Sequence, residues 1–269
     1  MIPLYKFPKW GVDRERIREE SFARQHIAGH GAEDFARQDF WPLMKRYLKL
    51  GQRYVDVQCG TGGWVMFLHD EGYRAEGVDP SRRVAQAISE YEPEIPVRVA
   101  PPTRLPYADQ SLDGIIGIGA LESLESESLA ALREWRRVLR EDGTLFFQVP
   151  YASPLRQLTY LPLKRIEYLL KRAAGQTPVF AAYLFTPAEL HALARKARFS
   201  IVELIPHELP DPDAHFALYH DWRFLRGDRP YRLNAAGRAV KHLCQQVSPW
   251  FASTGLFAIA KALPRSAAR

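Results

Sequence analysis

The chain has 269 residues, a length that fits one α/β domain with some additions or at most two small domains, and its 46% hydrophobic and 25% charged residues are typical of a globular protein. No stretch reaches the roughly 18 to 20 uninterrupted apolar residues of a membrane-spanning helix, and residues 1–10 lack the pattern of a secretory signal. The net charge of +6 is compatible with an anionic partner or with an evenly basic surface, since no block of five like charges concentrates it.

Residues 1–50 are polar, with apolar positions at helical spacing near their end, which predicts an N-terminal helical cap. Residues 51–206 alternate short β-rich runs with helical patterns and are predicted to form an α/β core. The predicted strands are Tyr54–Val57, Arg74–Val78, Val97–Ala100, Leu112–Ile118, Thr144–Val149 and Phe199–Ile205. The predicted helices include Ser81–Tyr91, Ser126–Arg140 and one that begins with a Thr186–Glu189 capping box.

Two long irregular segments, residues 151–185 and 207–254, interrupt or follow this core, and residues 255–269 are predicted to form a last strand and tail. Connections of this length are usually lids or binding elements, so we expect them to determine which acceptor is bound. Because strands alternate with helices in this core, the sequence predicts a parallel sheet that helices cover on both faces.

Leu161–Arg172 is predicted to be a basic amphipathic helix within the lid insertion, and Ala239–Trp250 has a related pattern. The apolar positions of Leu161–Arg172 are Leu163, Ile166, Leu169 and Leu170. Such a helix either covers an active site with its apolar face, the interpretation we favour, or makes peripheral contact with an anionic membrane.

The most informative motif is the glycine-rich turn Asp56–Trp64, between a predicted strand and a predicted helix. Asp79 follows Gly60 by 19 residues, at the end of the next strand, where a carboxylate can accept hydrogen bonds from ribose hydroxyls. Val65 stands where a dinucleotide site has its third glycine, and no P-loop Gly-Lys-Ser/Thr is present. The pattern therefore favours an adenosine ligand without a pyrophosphate.

The segment Tyr54–Gly62 resembles motif I of the class I S-adenosylmethionine-dependent methyltransferases, and residues 50–205 as a whole most resemble the type 11 methyltransferase domain. Further segments resemble the family in the same order: Glu76–Ser81, Leu105–Tyr107, Ser111–Asp113, Leu132–Thr144 and Phe185–Phe199. The resemblance implies a Rossmann-like, doubly wound, mostly parallel seven-stranded sheet, in which Leu256–Ala260 inserts as an antiparallel last strand.

The resemblance also implies that S-adenosyl-L-methionine is the cofactor. Asp56 would contact its methionine moiety, the backbone of Gly60–Gly62 would pack against it, and Asp79 would bind both ribose hydroxyls. The cofactor-binding residues expected on this basis are Asp56, Gln58, Cys59, Gly60, Thr61, Gly62, Asp79, Pro80, Pro102, Thr103 and Gly119. Asp79 alone has a second interpretation, since Asp-Pro-Ser is also an ordinary helix N-cap.

The sequence departs from the family at two positions. Gln58 replaces the usual first glycine, and its side chain either crowds the methionine moiety or points away and hydrogen-bonds the loop. Pro101-Pro102 replaces a frequent acidic residue, which leaves backbone carbonyls or Thr103 to bind the adenine. We expect cofactor binding to survive, weakened by about 1 to 2 kcal/mol.

Methyl transfer is an in-line displacement in which the enzyme supplies orientation and, where needed, a base. We expect a small-molecule, lipid-like or glycan-like acceptor, and we assign no oligomeric state. Candidate bases are Glu122, His207 and His220, and more weakly His26, His30 and His215; we expect most histidines to be surface or packing residues.

Nucleic acid is not the expected acceptor, because Gly119-Ala120-Leu121-Glu122 stands where amino-methylating branches carry Asn/Asp-Pro-Pro-aromatic. We predict no metal site. With only Cys59 and Cys244, no disulfide framework exists, and we expect a cytoplasmic protein. Two alternatives stay open: a non-catalytic cofactor-binding or scaffolding protein of this fold, and a nicotinamide-dependent oxidoreductase.

Overall fold

The computed structural model describes residues 1–6, 35–36, 38–208 and 234–264. The chain divides into two compact units. The small unit comprises Met1–Lys9, Val149–Leu190 and Ile205–Phe257, and the sheet unit comprises Trp10–Gln148, His191–Leu204 and Ala258–Arg269. The division into cap, core, second insertion and tail that the sequence suggests stays a prediction.

Nine strands occur within the described residues. They are β1 (Ile2–Lys6), β2 (Arg53–Val57), β3 (Arg74–Asp79), β4 (Val97–Val99), β5 (Leu112–Ile118), β6 (Leu139–Pro150), β7 (Val179–Leu184), β8 (Phe199–His207) and β9 (Gly255–Ala262). The helices are α1 (Trp41–Lys45), α2 (Gly63–Asp70), α3 (Arg82–Tyr91), α4 (Ser128–Val138), α5 (Leu161–Ala173), α6 (Pro187–Lys196), α7 (Ala235–Val247) and α8 (Pro249–Ala252).

Seven of these strands form one sheet in the order β4-β3-β2-β5-β6-β9-β8. The pairs β2–β3, β2–β5, β3–β4 and β5–β6 are parallel, and the last strand of the chain, β9, is inserted antiparallel between β6 and β8. The predicted Rossmann-like sheet with an antiparallel last strand is therefore confirmed. Its strands are mostly buried because helices pack against them, as in other parallel sheets.

The register of the central strands places their carboxyl ends at one edge of the sheet. Asp56 pairs with Gly77 and Val57 with Val78, while Asp56 also lies opposite Ile116 on β5. The loops that leave β2, β3 and β5 consequently emerge side by side. Ligands of open α/β sheets bind at this kind of edge.

The strand β6 begins earlier than the sequence predicts. Thr144–Val149 is the predicted range, but pairing with β5 already starts at Leu139, and the register shifts between Leu112 and Gly114 on β5. Residues 141–143 lie inside this irregularity, where Asp142 has a φ of 59°. A β-bulge accommodates the extra residues without ending the strand.

The small unit contains a two-stranded antiparallel sheet, β1 with β7. The prediction that residues 1–50 are helical is wrong for Ile2–Lys6, although α1 lies in the expected apolar segment. Five residues are too few to show a period, and Leu184, the partner of Ile2, lies 182 positions later in the sequence. The other cap residues, 7–34 and 37, lie outside the described part of the chain.

Helices in the small unit follow the predicted patterns. The helix predicted at Leu161–Arg172 is confirmed as α5. The pattern Ala239–Trp250 instead forms parts of two helices, α7 and α8, because Ser248 between them is extended and caps α8. The predicted capping box is present: Thr186 Oγ1 accepts from the Glu189 amide at 3.3 Å, and Glu189 accepts from the Thr186 amide at 3.0 Å. No helix among the described residues is long and apolar enough to cross a membrane.

Candidate functional site

The turn between β2 and α2 is tied to the neighbouring strand β3. The amides of Gln58 and Cys59 both donate to the Val78 carbonyl, at 2.7 and 3.2 Å, and the Gly62 amide donates to the Cys59 carbonyl at 2.9 Å. Gln58, Gly60 and Gly62 have φ values of 59°, 53° and 77°. Alternating left-handed residues fold the turn tightly, so its backbone lies directly above the edge of the sheet.

Asp79 links this turn to the end of β3. Its Oδ2 accepts a hydrogen bond from the Gly60 amide at 3.2 Å, and its Oδ1 accepts one from the Ser81 amide at 2.9 Å. Ser81, not Asp79, is the N-cap of α3, since its Oγ accepts from the Val84 amide at 3.4 Å. Asp-Pro-Ser is therefore a helix N-cap in which Ser81 is the capping residue, and the buried Asp79 carboxylate accepts from the Ser81 and Gly60 amides at the sheet edge.

A second buried carboxyl group, Asp56, lies in the same place. Burial, and then the negative charge of Asp79, raise its pKa well above the ordinary value. Two buried acids that repel each other favour a positively charged ligand, because a cation between them lowers the cost of ionising both. A cation bound at this edge would therefore lower the pKa of Asp56.

Gly60 and Gly62 have different surroundings. An added Cβ at Gly62 would lie 2.9 Å from Ile88 Cδ1, whereas at Gly60 its nearest neighbour would be the Gln58 carbonyl oxygen at 3.9 Å. Gly62 therefore packs against α3, whereas the described part of the chain leaves the face of Gly60 at the sheet edge open. This open face lets a ligand approach the backbone closely.

We expect Gly62→Ala to lower the free energy of unfolding by about 2 to 3 kcal/mol, from left-handed strain plus the contact with Ile88. Gly60→Ala should cost only about 1 to 2 kcal/mol of stability, from strain alone, but should weaken cofactor binding more than Gly62→Ala does. Urea denaturation and calorimetric titration with S-adenosylmethionine measure the two effects. The opposite ranking in both experiments would contradict this assignment.

Gln58 adopts the conformation that a glycine would adopt at its position. Its φ of 59° is left-handed, and its side-chain Oε1 accepts a hydrogen bond from Ser123 Oγ at 3.2 Å. Ser123 lies in the 3₁₀ segment Leu121–Ser123 after β5. The sequence left open whether the Gln58 side chain crowds the methionine moiety or is hydrogen-bonded. In the structure it is hydrogen-bonded, and its partner lies in the segment after β5. No pattern in the sequence indicates that Ser123 contacts Gln58.

Pro101 and Pro102 are held by hydrogen bonds that the sequence did not predict. The indole Nε1 of the buried Trp135 donates to the Pro102 carbonyl at 3.0 Å, and the Arg104 amide donates to the Pro101 carbonyl at 3.0 Å. Both carbonyls thus already accept hydrogen bonds from the protein. Thr103, which is half-buried, offers a hydroxyl at the same segment.

Trp135→Phe should lower the free energy of unfolding by about 2 kcal/mol, because it leaves the Pro102 carbonyl without its indole donor and removes part of a buried ring. Urea denaturation at neutral pH measures this loss. The variant should also weaken cofactor binding by a few-fold if Pro102 and Thr103 border the adenine. Unchanged stability would show that the indole bond contributes nothing.

Glu122 lies after β5, in the same 3₁₀ segment as Ser123, and is buried. Burial raises its pKa to about 8, partly offset by a hydrogen bond with its own backbone. A Cβ added at Gly119, whose φ is 76°, would lie 3.6 Å from Glu122 Oε1. Gly119 and Glu122 are therefore neighbours, and at neutral pH the Glu122 carboxyl is mostly protonated.

The other predicted residues lie as follows. Thr61 is half-buried in the turn and Pro80 is exposed after β3. Cys59 is buried, with its Sγ 2.9 Å from where a Cβ of Gly77 would be, and burial raises its thiol pKa. The thiol thus packs on β3 as an apolar group.

Of the histidine candidates, only His207 is described; it is buried at the end of β8, in the small unit. His26, His30, His215 and His220 lie outside the described residues. In the part of the chain that the structure describes, no group of three or more His, Cys, Asp or Glu residues could hold a metal ion.

Comparison with known proteins shows that residues 55–147 match the family described as "Methyltransferase domain". This range covers the glycine-rich turn, Asp79, Glu122 and Trp135, but only about a third of the chain.

Two similar relatives have names that refer to quinone biosynthesis. A ubiquinone/menaquinone biosynthesis C-methyltransferase UbiE of Campylobacter jejuni is 32% identical over 111 residues, which cover 38% of this chain and 46% of the relative. A demethylmenaquinone methyltransferase of Beutenbergia cavernae is 29% identical over 137 residues, which cover 50% of this chain and 57% of the relative. The chain thus spans about half the length of the relatives it matches.

Among solved structures, a S-adenosylmethionine-dependent methyltransferase from Methanosarcina mazei is similar, with a TM-score of 0.60 and 19% identity. The match covers 84% of this chain and all of the other. At this identity the likeness concerns the fold, and it extends well beyond residues 55–147.

Proposed function

Since residues 55–147 form a class I S-adenosylmethionine-dependent methyltransferase domain, we propose that the chain transfers a methyl group from S-adenosylmethionine to a small-molecule acceptor. The single observation that carries the proposal is the Asp79 carboxylate, which the Gly60 and Ser81 amides orient at the edge of β2 and β3.

The residues at this edge fit the cofactor. S-adenosylmethionine carries a sulfonium and an ammonium group, and the buried Asp56 and Asp79 favour a cation. Gly60 leaves room for close approach, since a Cβ there would meet no atom of the described residues nearer than 3.9 Å. A carboxylate can accept about four hydrogen bonds, so the two amide contacts of Asp79 are compatible with ribose hydroxyls as further donors.

We assign the cofactor contacts as follows. Asp79 binds the ribose hydroxyls, the backbone of Gly60–Gly62 packs against the cofactor, and Asp56 contacts the methionine moiety. Pro102 and Thr103 border the adenine, and Gln58 borders the methionine end while it holds the segment after β5 through Ser123. When bound, the cofactor supplies an electrophilic methyl group.

The chain's own contribution to the reaction is orientation and control of a proton. Glu122 is the proposed proton acceptor, because it is buried next to Gly119 at the carboxyl end of β5. With a pKa of about 8, Glu122 is a carboxylate above that pH and can then accept the proton that the acceptor molecule loses. Methyl transfer is therefore expected to increase with pH through this value.

The acceptor class is a small molecule, including lipid-like and glycan-like compounds. The names of the relatives, which refer to ubiquinone and menaquinone, support an apolar ring compound among these. Nucleic acid is not proposed, since the segment after β5 reads Gly119-Ala120-Leu121-Glu122.

Calorimetric titration with S-adenosylmethionine, followed by a donor-consumption screen over candidate acceptors, tests the proposal. We expect saturable binding, and conversion to S-adenosylhomocysteine with at least one acceptor. Absence of binding at millimolar cofactor would refute the proposal, as would co-purification of a dinucleotide detected by mass spectrometry.

A non-catalytic cofactor-binding protein is the second candidate function, and the side chain of Gln58 is the observation that favours it. Gln58 stands where the resembled motif has a glycine. Its side chain accepts a hydrogen bond from Ser123, in the segment that would border the acceptor molecule. Binding without turnover in the screen, restored to turnover by Gln58→Gly, would support this alternative.

A further inference from the structure

The outer face of α5, in the small unit, is apolar and exposed. Four residues of α5 are between 54% and 66% exposed, and one in the preceding turn is 71% exposed. These residues are Leu158, Leu163, Ile166, Leu169 and Leu170. Surface helices normally turn this face towards the core. In α5 the orientation is reversed, and none of its residues is buried.

The other side of α5 carries ion pairs within the helix and an aromatic contact to β1. Glu167 forms ion pairs with Lys164 at 3.0 Å and Lys171 at 2.6 Å, and all three side chains are only 37% to 39% exposed. Tyr168 packs against Tyr5 of β1, with ring centroids 5.2 Å apart. Tyr168 and the three ion-paired side chains thus lie on one side of α5, and the exposed aliphatic side chains lie on the other.

Cationic residues border the apolar face. The helix carries four basic residues and one acidic residue, a net charge of +3. Arg165 and Arg172 are both exposed, and their spacing of seven residues places them on one side of the helix. Apolar side chains flanked by arginine and lysine are typical of helices that lie on anionic membrane surfaces.

A second exposed apolar face of the same kind belongs to α7 and α8. Leu243 and Val247, four residues apart on α7, are 64% and 71% exposed, and Trp250 of α8 is 38% exposed. Residues 234–252 contain two basic residues and no acidic one. Tryptophan is enriched where proteins meet the membrane–water interface, so the composition of this face agrees with that of α5.

The inner faces of both helices pack on one apolar cluster. Leu161 of α5, Val240 and Cys244 of α7, and Phe251 of α8 all contact the buried cluster that includes Leu4, Tyr160 and Leu184. The small unit therefore holds both helices by their inner sides. Their outer sides contribute nothing to this cluster, so the core does not explain why they are apolar.

We propose that the outer faces of α5 and of α7–α8 dock on the surface of a lipid bilayer that contains anionic phospholipid. Contact with acyl chains removes exposed leucine from water, and the basic borders of α5 bind phosphate headgroups. A 13-residue helix is about 20 Å long, so it lies along the surface and does not span the bilayer. This docking does not depend on the proposed methyl transfer.

Vesicle flotation with the full chain tests the proposal. The vesicles are phosphatidylcholine alone, or an equal mixture with phosphatidylglycerol. We expect the wild-type chain to float with the mixed vesicles and much less with phosphatidylcholine. Leu163→Ser with Leu170→Ser should reduce partitioning about tenfold or more, since each leucine loses much of its transfer free energy. Arg165→Gln with Arg172→Gln should reduce binding to the mixed vesicles about tenfold or more.

Leu50→Ser is the matched control, because Leu50 is 72% exposed but belongs to the sheet unit. It should leave flotation unchanged. All substituted residues are exposed, and thermal melting of each variant checks that it folds as the wild type does.

Three results would overturn the proposal. The first is no flotation of the wild-type chain, and the second is flotation that the leucine double variant leaves unchanged. The third is a dimer, measured by sedimentation velocity without lipid, that the same variant dissociates while no binding to vesicles occurs. In that last case a second copy of the chain covers α5 instead of a membrane.

Discussion

Replacing Asp79 with alanine should weaken the binding of S-adenosylmethionine by about a hundredfold or more. Hydrogen bonds to a charged group contribute about 1.5 to 3 kcal/mol each, and the variant loses the proposed bonds to two ribose hydroxyls. It also loses the carboxylate that fixes the Gly60 and Ser81 amides, so the turn itself is less well ordered. Calorimetric titration at neutral pH measures the affinity.

The control for this experiment is Asp70→Asn, at the end of α2, where the side chain is exposed and away from the sheet edge. It should bind the cofactor as the wild type does. If Asp79→Ala melts normally and keeps its affinity within a few-fold, the assignment of the ribose site is wrong. If Asp79→Ala does lose affinity, Asp79→Asn distinguishes the loss of the negative charge from the loss of the side-chain shape.

Replacing Glu122 with glutamine should stabilise the protein at high pH, by about 3 to 5 kcal/mol near pH 9. The pKa of Glu122 is raised from 4.5 to about 8 by burial. Between these values the folded chain holds a proton that the unfolded chain has lost, so stability decreases as pH increases from about 4.5 to 8. Each unit of pKa difference corresponds to about 1.4 kcal/mol.

Urea denaturation of the wild type and of Glu122→Gln at pH 5 and pH 9 measures this effect. The variant should be similar to the wild type at the lower pH and clearly more stable at the higher one. Other groups titrate in both proteins, so the difference of the two differences isolates Glu122. Glu127→Gln, an exposed carboxylate in the next 3₁₀ turn, is the control.

Equal pH dependence in wild type and Glu122→Gln would contradict the raised pKa. If Glu122 is the proton acceptor, the same substitution also removes the increase of methyl transfer with pH. Loss of the pH-dependent stability without any change in activity would limit Glu122 to a structural role.

The sheet and the cofactor turn could be predicted because their signals are local. Alternation of β-rich and helical runs, the glycines at 60 and 62, and an acid 19 residues after Gly60 all lie within short stretches. Parallel pairing then requires that the carboxyl ends of β2 and β3 meet, which places Asp56 and Asp79 together.

Contacts between distant side chains could not be predicted in this way. Gln58 and Ser123 are 65 residues apart, and Trp135 and Pro102 are 33 apart, and neither pair has a spacing rule. The sequence also could not predict which face of α5 is exposed. Its pattern showed an apolar face but not that the small unit would pack against the opposite face, through Tyr168 and Leu161.

The pairing of β1 with β7 has a consequence for how the chain folds as it is synthesised. At about 5 to 20 residues per second, the ribosome needs at least several seconds between making Ile2 and making Leu184. During that interval Leu4, which ends buried, has no sheet partner to cover it. Ile2–Lys6 therefore joins the native structure late, and closing a loop of this length slows folding. Chaperone contact with this nascent segment is most useful in this interval.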